Sequence, residues 1–163
     1  MKKSKSNKLI YFILCIIVTT LLDLNISNFI TSNLSNFNLG DFSRYFDITY
    51  YENTGAAFSI FQNNITLLVG IAFIAVVSII TLLMKYLEKT SLLTCFFFAM
   101  LISGIICNTY ERLHFGFVRD FFNIKFINFP VFNISDVLIN ISVLAIMIVV
   151  LKYKKKNSQN DKF

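Results

Sequence analysis

Four long apolar runs, at residues 9–22, 65–84, 92–107 and 131–151, constrain this chain more than any other feature. A helix needs about 20 predominantly apolar residues, at 1.5 Å rise each, to cross roughly 30 Å of hydrocarbon. The second run carries no charge, and the fourth is interrupted only by Asp136. Both are long enough by themselves. The third gains length by continuing to Tyr110. The first is short unless it passes through Asp23, and Leu24, Ile26, Phe29 and Ile30 permit that continuation. A cleaved signal peptide would also follow Lys2, Lys3, Lys5 and Lys8. However, Leu21-Leu22-Asp23-Leu24-Asn25 offers no small-x-small cleavage site.

The expected fold is therefore membrane all-α. It has four transmembrane helices and a small extracytoplasmic β-rich segment between helices 1 and 2. A single polytopic domain covers 1–163, with spans at about 9–28, 65–84, 92–110 and 131–151. Composition agrees: 56% of residues are hydrophobic, against roughly 45–50% in soluble domains. The three cysteines, Cys15, Cys95 and Cys107, sit in apolar runs without CxxC spacing. They suggest neither a disulfide framework nor a metal site.

Charge sets the direction. Eleven of the fifteen Lys and Arg lie before the first run, between the second and third, or after the fourth. The positive-inside rule then places both termini in the cytoplasm and segments 29–64 and 111–130 outside. Only Arg44, Arg112, Arg119 and Lys125 remain on the outer side. The basic tail, with Lys152, Lys154, Lys155, Lys156 and Lys162, needs no reading beyond topology, and no nucleic-acid partner is expected.

The acids gather on that outer side: Asp23, Asp41, Asp47, Glu52, Glu111, Asp120 and Asp136 are seven of nine. A charged side chain at the centre of a span costs about 2.5–3.5 kcal/mol, so Asp136 and Asp23 call for a function or a partner. Asn133-Ile134-Ser135-Asp136 also has the spacing of a helix N-cap followed by an acid, which the helix dipole favours. Both roles can coexist. Gly104, Asn108 and Arg112 recur every four residues and share one helix face. That face must find polar partners or a water-filled cavity; helix–helix hydrogen bonding and an interfacial Arg112 satisfy the pattern equally. Asp120, between Val118 and Phe121-Phe122, is a carboxylate in an apolar setting. Two such acids facing each other would share a proton and serve as general acid and base. Phe46-Asp47-Ile48-Thr49-Tyr50 alternates like a strand and leads into the turn signal Glu52-Asn53-Thr54-Gly55. Phe42, Phe46, Phe58 and Phe61 are placed to lie at headgroup level.

Five blocks in order resemble lipoprotein signal peptidases (signal peptidase II). Asn53-Thr54-Gly55-Ala56-Ala57-Phe58-Ser59 resembles that family's NxGAAF block. Gly104-Ile105-Ile106-Cys107-Asn108-Thr109-Tyr110-Glu111-Arg112 resembles its GxxGNxxDR block. Val118-Arg119-Asp120-Phe121 is similar to VxDF, and Phe132-Asn133-Ile134-Ser135-Asp136 to FNxAD. Asp23 matches an acid at the end of the first span. The resemblance covers about residues 9–151. It implies an aspartyl endopeptidase that removes the signal peptide of diacylglyceryl-modified prolipoproteins just before the lipidated cysteine, without metal or cofactor. It implies Asp120 and Asp136 as the catalytic pair. Asn53, Gly55, Asn108, Arg112, Asn133 and Asp23 would bind substrate or shape the site. Membrane lipids and cyclic peptide inhibitors such as globomycin are the other implied partners, and a monomer is expected.

The chain departs from the family pattern at Ser27, Cys107, Glu111 and Val137, where Lys, Gly, Asp and a small residue are usual. Acids within helices also suit a proton or solute pathway. The departures also suit a non-catalytic relative. Acids confined to one side argue against the first, since transport sites lie near the midplane. Retention of both acids argues against the second.

Overall fold

The third helix is the axis of the fold. The computed structural model describes residues 5–36, 44–56 and 60–160. Its elements are α1 (Lys5–Ser32), a 3-10 turn (Leu34–Asn36), β1 (Phe46–Asn53), α2 (Ile65–Tyr86), α3 (Leu92–Phe115), β2 (Val118–Ile124) and α4 (Ile134–Asn160). All four α-helices are long and apolar enough to cross a membrane. In the most apolar stretch of α3, 44% of residues are buried, against 6–11% in the others. It packs against α1, α2 and α4, which turn broad apolar faces outward. Lys2, Lys3, Asp41, Phe42, Ala57, Phe58, Ser59 and Lys162 lie outside the described residues.

Local sequence explains the helix ends. Asn64 caps α2 by accepting from the Leu67 N–H at 3.3 Å, and Ser91 caps α3 by accepting from the Thr94 N–H at 3.0 Å. Gly116 ends α3 in the left-handed conformation, φ 85°, and its N–H donates to the Arg112 carbonyl at 3.1 Å. The first helix runs straight through Asp23. The third extends five residues beyond Tyr110, carrying Glu111 and Arg112 inside it. The fourth starts at Ile134 and not at Val131, because Asn133 caps it.

The two ends of the bundle differ in kind. At one end Phe12, Leu83, Leu87, Cys95, Ala99 and Ile102 form an apolar core. There the Lys8 ammonium donates to the carbonyls of Leu87, Glu88 and Thr90 at 2.7–3.2 Å, satisfying acceptors around the turn from α2 to α3. Toward the other end the buried residues become polar: Ser103, Asp23, Ser27, Glu111, Asp120, Asn133 and Ser135. Thr20 and Ser103 hydroxyls bond across α1 and α3 at 2.8 Å, as polar side chains in a span must.

The strand expected between the first two helices is β1, and its partner is β2, which lies between α3 and α4 and runs antiparallel to it. A register shift lies between Ile48 and Tyr51, so Tyr51 pairs with Asp120 and Asn53 with Val118. The extra residue works as a β-bulge does, re-aiming the end of the strand. On its other edge β2 is joined by Phe132, which exchanges backbone hydrogen bonds with Phe122 at 2.9 and 3.1 Å. That bridge places Asn133, and hence the start of α4, beside β2.

Gly104 sets the distance between α3 and α4. A Cβ there would stand 2.6 Å from the Ser135 carbonyl oxygen and 2.8 Å from Ile139 Cγ1. The first neighbour is backbone and cannot step aside. Gly104→Ala is expected to destabilise the protein by about 1–3 kcal/mol, the usual cost of overpacking. A lowered unfolding temperature of the detergent-solubilised protein is the check.

Candidate functional site

The start of α4 is a rigid platform for Asp136. Its backbone N–H donates to Asn133 Oδ1 at 2.9 Å, and the Asn133 N–H donates to Asp136 Oδ2 at 3.3 Å. This is a reciprocal cap, as the spacing from Asn133 to Asp136 predicts. Asn108, reaching across from α3, closes the arrangement. Its Nδ2 donates to Asp136 Oδ1 at 2.9 Å, and its Oδ1 accepts from Asn133 Nδ2 at 3.0 Å. Asp136 thus accepts a hydrogen bond on each oxygen and has little rotational freedom.

Asp120 comes from β2 and is fully buried. Asn53 Nδ2, from the bulged strand, donates to its Oδ2 at 2.9 Å. Asn53 is itself fixed, because its Oδ1 accepts from the Gly55 N–H at 3.0 Å. Among the described residues, Asp120 Oδ1 has no hydrogen-bond partner. Burial raises the Asp120 pKa to about 7, and the nearby Asp136 charge adds to the rise. The Asn53 hydrogen bond and the Arg112 cation oppose it. Like charges brought together out of water favour holding one proton between them.

Arg112 lies within electrostatic range of both acids. Its Nη1 donates to the Asn108 carbonyl at 3.1 Å and its Nη2 to the Gly55 carbonyl at 2.6 Å. It therefore ties the segment after β1 to α3. Gly104, Asn108 and Arg112 do share one face, and it is the face turned toward α4 and the sheet.

Tyr51, Asn53, Asn108, Arg112, Asp136 and Val137 help line a cavity of about 690 Å³, with apolar walls from residues 129–132, Ile139 and Ile141. Asp120 meets this wall through Asn53. Of the remaining residues singled out from sequence, Gly55, Asn133 and Asp23 sit behind the wall. Asp23 is 2% exposed and accepts from Ser27 at 3.2 Å and from Ser135 at 2.5 Å. Because Ser135 precedes Asp136, Asp23 braces the first turn of α4 from α1. Ser27, standing where a Lys is usual in the resembled family, supplies a hydroxyl donor. Cys107 is buried beside Asp23, with its Sγ 3.8 Å from the Thr20 carbonyl. Among the described residues no three His, Cys, Asp or Glu side chains converge as a metal ion would need.

One cluster escaped sequence reasoning. Arg119 pairs with Glu111 at 2.6 Å in a nearly buried ion pair. Its backbone N–H also donates to Glu111 Oε2 at 2.7 Å. The only available signal was an arginine preceding Asp120, with an acid eight residues upstream.

Four helices able to span a membrane, with two carboxylates brought from separate elements toward one end, define the architecture of a multi-pass membrane protein. The comparisons give this class a family. The family model described as signal peptidase (SPase) II matches residues 15–152. A lipoprotein signal peptidase of Clostridium acetobutylicum is 33% identical over 71% of this chain and 77% of its own length. One from Streptococcus pneumoniae is 35% identical over 66% and 70%. A bacterial membrane enzyme solved by the in meso method at 2.3 Å superposes with a TM-score of 0.74, at 25% identity, over 89% of this chain and 90% of that one. The chain belongs to the signal peptidase II family, and it is a protease.

The raised Asp120 pKa has a consequence for stability. In the unfolded chain an Asp titrates near 3.8, whereas in the fold Asp120 holds its proton to about 7. Between those values the folded state binds more protons, so its stability falls as pH rises and then levels off. The penalty at neutral pH is on the order of 4 kcal/mol at most, taking ~1.36 kcal/mol per pKa unit. Asp120→Asn removes it. The variant is expected to unfold at a higher temperature than wild type at pH 7.5, with the difference shrinking toward pH 4, in thermal scans across that range.

Proposed function

We propose that this protein is an aspartyl endopeptidase that removes signal peptides from diacylglyceryl-modified prolipoproteins, cutting before the lipidated cysteine. The observation that carries the reading is the buried Asp120, held by Asn53 behind the wall of the cavity that Asp136 lines, with its proton affinity raised by burial and then by the Asp136 charge. Family membership and lipoprotein signal peptidases among its relatives support the substrate class.

The two acids divide the chemistry by their surroundings. Asp136 accepts N–H hydrogen bonds on both oxygens, a setting that suits the ionised base. Asp120 has one oxygen without a partner among the described residues and a raised pKa, a setting that suits the acid. Asp136 takes a proton from water as the water oxygen attacks the scissile carbonyl. The Asp120 proton hydrogen-bonds to the carbonyl oxygen as negative charge develops there. Collapse of the tetrahedral intermediate breaks the C–N bond, and Asp136 returns its proton to the leaving amine. Asn53, Asn108 and Asn133 fix the pair, Arg112 tempers its charge, and Gly55 and Asp23 hold the supports.

Topology fits a lipid-bound substrate. With both termini cytoplasmic, the sheet and cavity lie at the outer leaflet. Apolar cavity walls from Phe129, Phe132, Ile139 and Ile141 continue toward lipid-facing helix surface, so acyl chains can stay in the bilayer during cleavage. Cyclic peptides such as globomycin would compete in the same cavity, and the protein would act as a monomer among membrane lipids.

The test uses purified protein in detergent with a diacylglyceryl-modified prolipoprotein, read as a mass shift. Asp120→Asn and Asp136→Asn should each cut turnover by about 10²–10⁴-fold, the range for loss of a general acid or base. Cleavage unaffected by both would sink the assignment. In wild type, kcat should decline as pH rises through about 7, where Asp120 loses its proton. Flat activity up to pH 9 would rule Asp120 out as the acid.

A further inference from the structure

The residue before Asp120 is held more firmly than any other on β2. The Arg119 Nε donates to Glu111 Oε1 at 3.0 Å, and Nη2 donates to the same oxygen at 2.6 Å. Nη1 donates to Thr31 Oγ1 at 3.3 Å, and Nη2 also donates to Asn28 Oδ1 at 3.0 Å, both on α1. The guanidinium lies 4.5 Å over the Phe115 ring. Its backbone N–H is taken by Glu111 Oε2. One side chain thus joins α1, α3 and β2 at a point one residue from the buried Asp120. Among the described residues, the Asp120 side chain has a single hydrogen bond, from Asn53. Successive strand residues face opposite sides, so fixing Arg119 against α1 and α3 fixes the direction in which Asp120 leaves the strand.

We propose that Arg119, clamped by Glu111, is a positioning residue that aims Asp120 at the reacting carbonyl. The inference rests on the reading of Asp120 as the catalytic acid. Arg119 is not among the residues that line the cavity. It acts through the backbone of β2 and through the charge it neutralises. The charged groups that act on Asp120 are Asp136 from α4, and Arg112 and Glu111 from α3. β1 contributes the neutral Asn53 beside Asp120, with Glu52 opposite Arg119 and Tyr50 within its field. From α1, Asp23 lies within range of Glu111. Glu111 is thus the one acid near Asp120 that Arg119 neutralises directly.

The experiment compares wild type with Arg119→Gln, Arg119→Lys and Glu111→Gln as purified full chains in detergent, on diacylglyceryl-modified prolipoprotein, with kcat and KM followed against pH. Arg119→Gln should lower kcat about ten- to hundredfold, as a misplacement near 1 Å does, with KM within about twofold. It leaves Glu111 uncompensated, so the alkaline limb of the kcat profile should move to higher pH. Glu111→Gln removes that charge and should move the limb to lower pH. Arg119→Lys keeps the cation and loses the fork, so the limb should return while kcat recovers only in part. Opposite movements are the signature that a loss of packing alone would not produce. Should Arg119→Gln show no cooperative thermal transition, Arg119→Lys and Glu111→Gln still decide the matter. Limbs that stay fixed or move in the same direction, or kcat unchanged in all three variants, would overturn the proposal. Asp120→Asn, run alongside, separates the two failures: if it too cleaves normally, the catalytic reading has failed, and otherwise only the positioning role has.

Discussion

Everything at the polar end of this bundle depends on the clasp between Asn108 and the first turn of α4. Within hydrocarbon a side-chain amide or carboxylate without a partner costs several kcal/mol. Asn108, Asn133 and Asp136 answer that cost with one another, through three hydrogen bonds of 2.9–3.0 Å. The clasp is possible only because α3 and α4 approach closely at Gly104, one turn away. It also requires Asn133 to stand where the Phe122–Phe132 bridge puts it. Helix packing, strand pairing and carboxylate geometry are therefore one construction.

Much of this was legible in the chain, and the reasons are local. The spans follow from apolar runs whose length matches a bilayer. The cap at Asn133 follows from its spacing to Asp136. The shared face of Gly104, Asn108 and Arg112 follows from helical periodicity. What stayed hidden is non-local. Nothing in Phe46–Asn53 announces that its partner is Val118–Ile124 rather than a nearby strand. The turn signal at Glu52-Asn53-Thr54-Gly55 gives no hint that the Asn53 side chain is spent on Asp120 and the Gly55 carbonyl on Arg112. Ser135 looks like an ordinary first-turn serine until α1 brings Asp23 against it. Arg119 reads in the sequence as an outer-side cation beside Asp120, and its partners on α1 are far away along the chain.

The departures from the family pattern become intelligible in contact terms. Ser27 sits one turn after Asp23 and donates to it directly, so the acid keeps a donor without a cation. Glu111 reaches Arg119 with both oxygens, one on the backbone N–H and one on the guanidinium. Val137 lines the cavity beside Asp136 and narrows it by its branched side chain. None of these changes touches the hydrogen bonds that hold the two catalytic candidates.

The division of the bundle into an apolar end and a polar end also sets where stability comes from. Phe12, Leu83, Leu87 and Ile102 pack where no chemistry is asked of them, and Lys8 closes the turn beside them. At the other end Asp120 is kept out of water against its preference, with one oxygen unpaired among the described residues, at a cost that grows as pH rises toward 7. A protein optimised for stability alone would carry an asparagine there. The same burial is what holds a proton on a carboxyl group near neutral pH, and an acid with that property is what cleavage of a peptide bond by a carboxylate pair requires. The apolar end supplies the packing that offsets that cost, and the Arg119–Glu111 ion pair ties β2 to α3 one residue away from the buried acid.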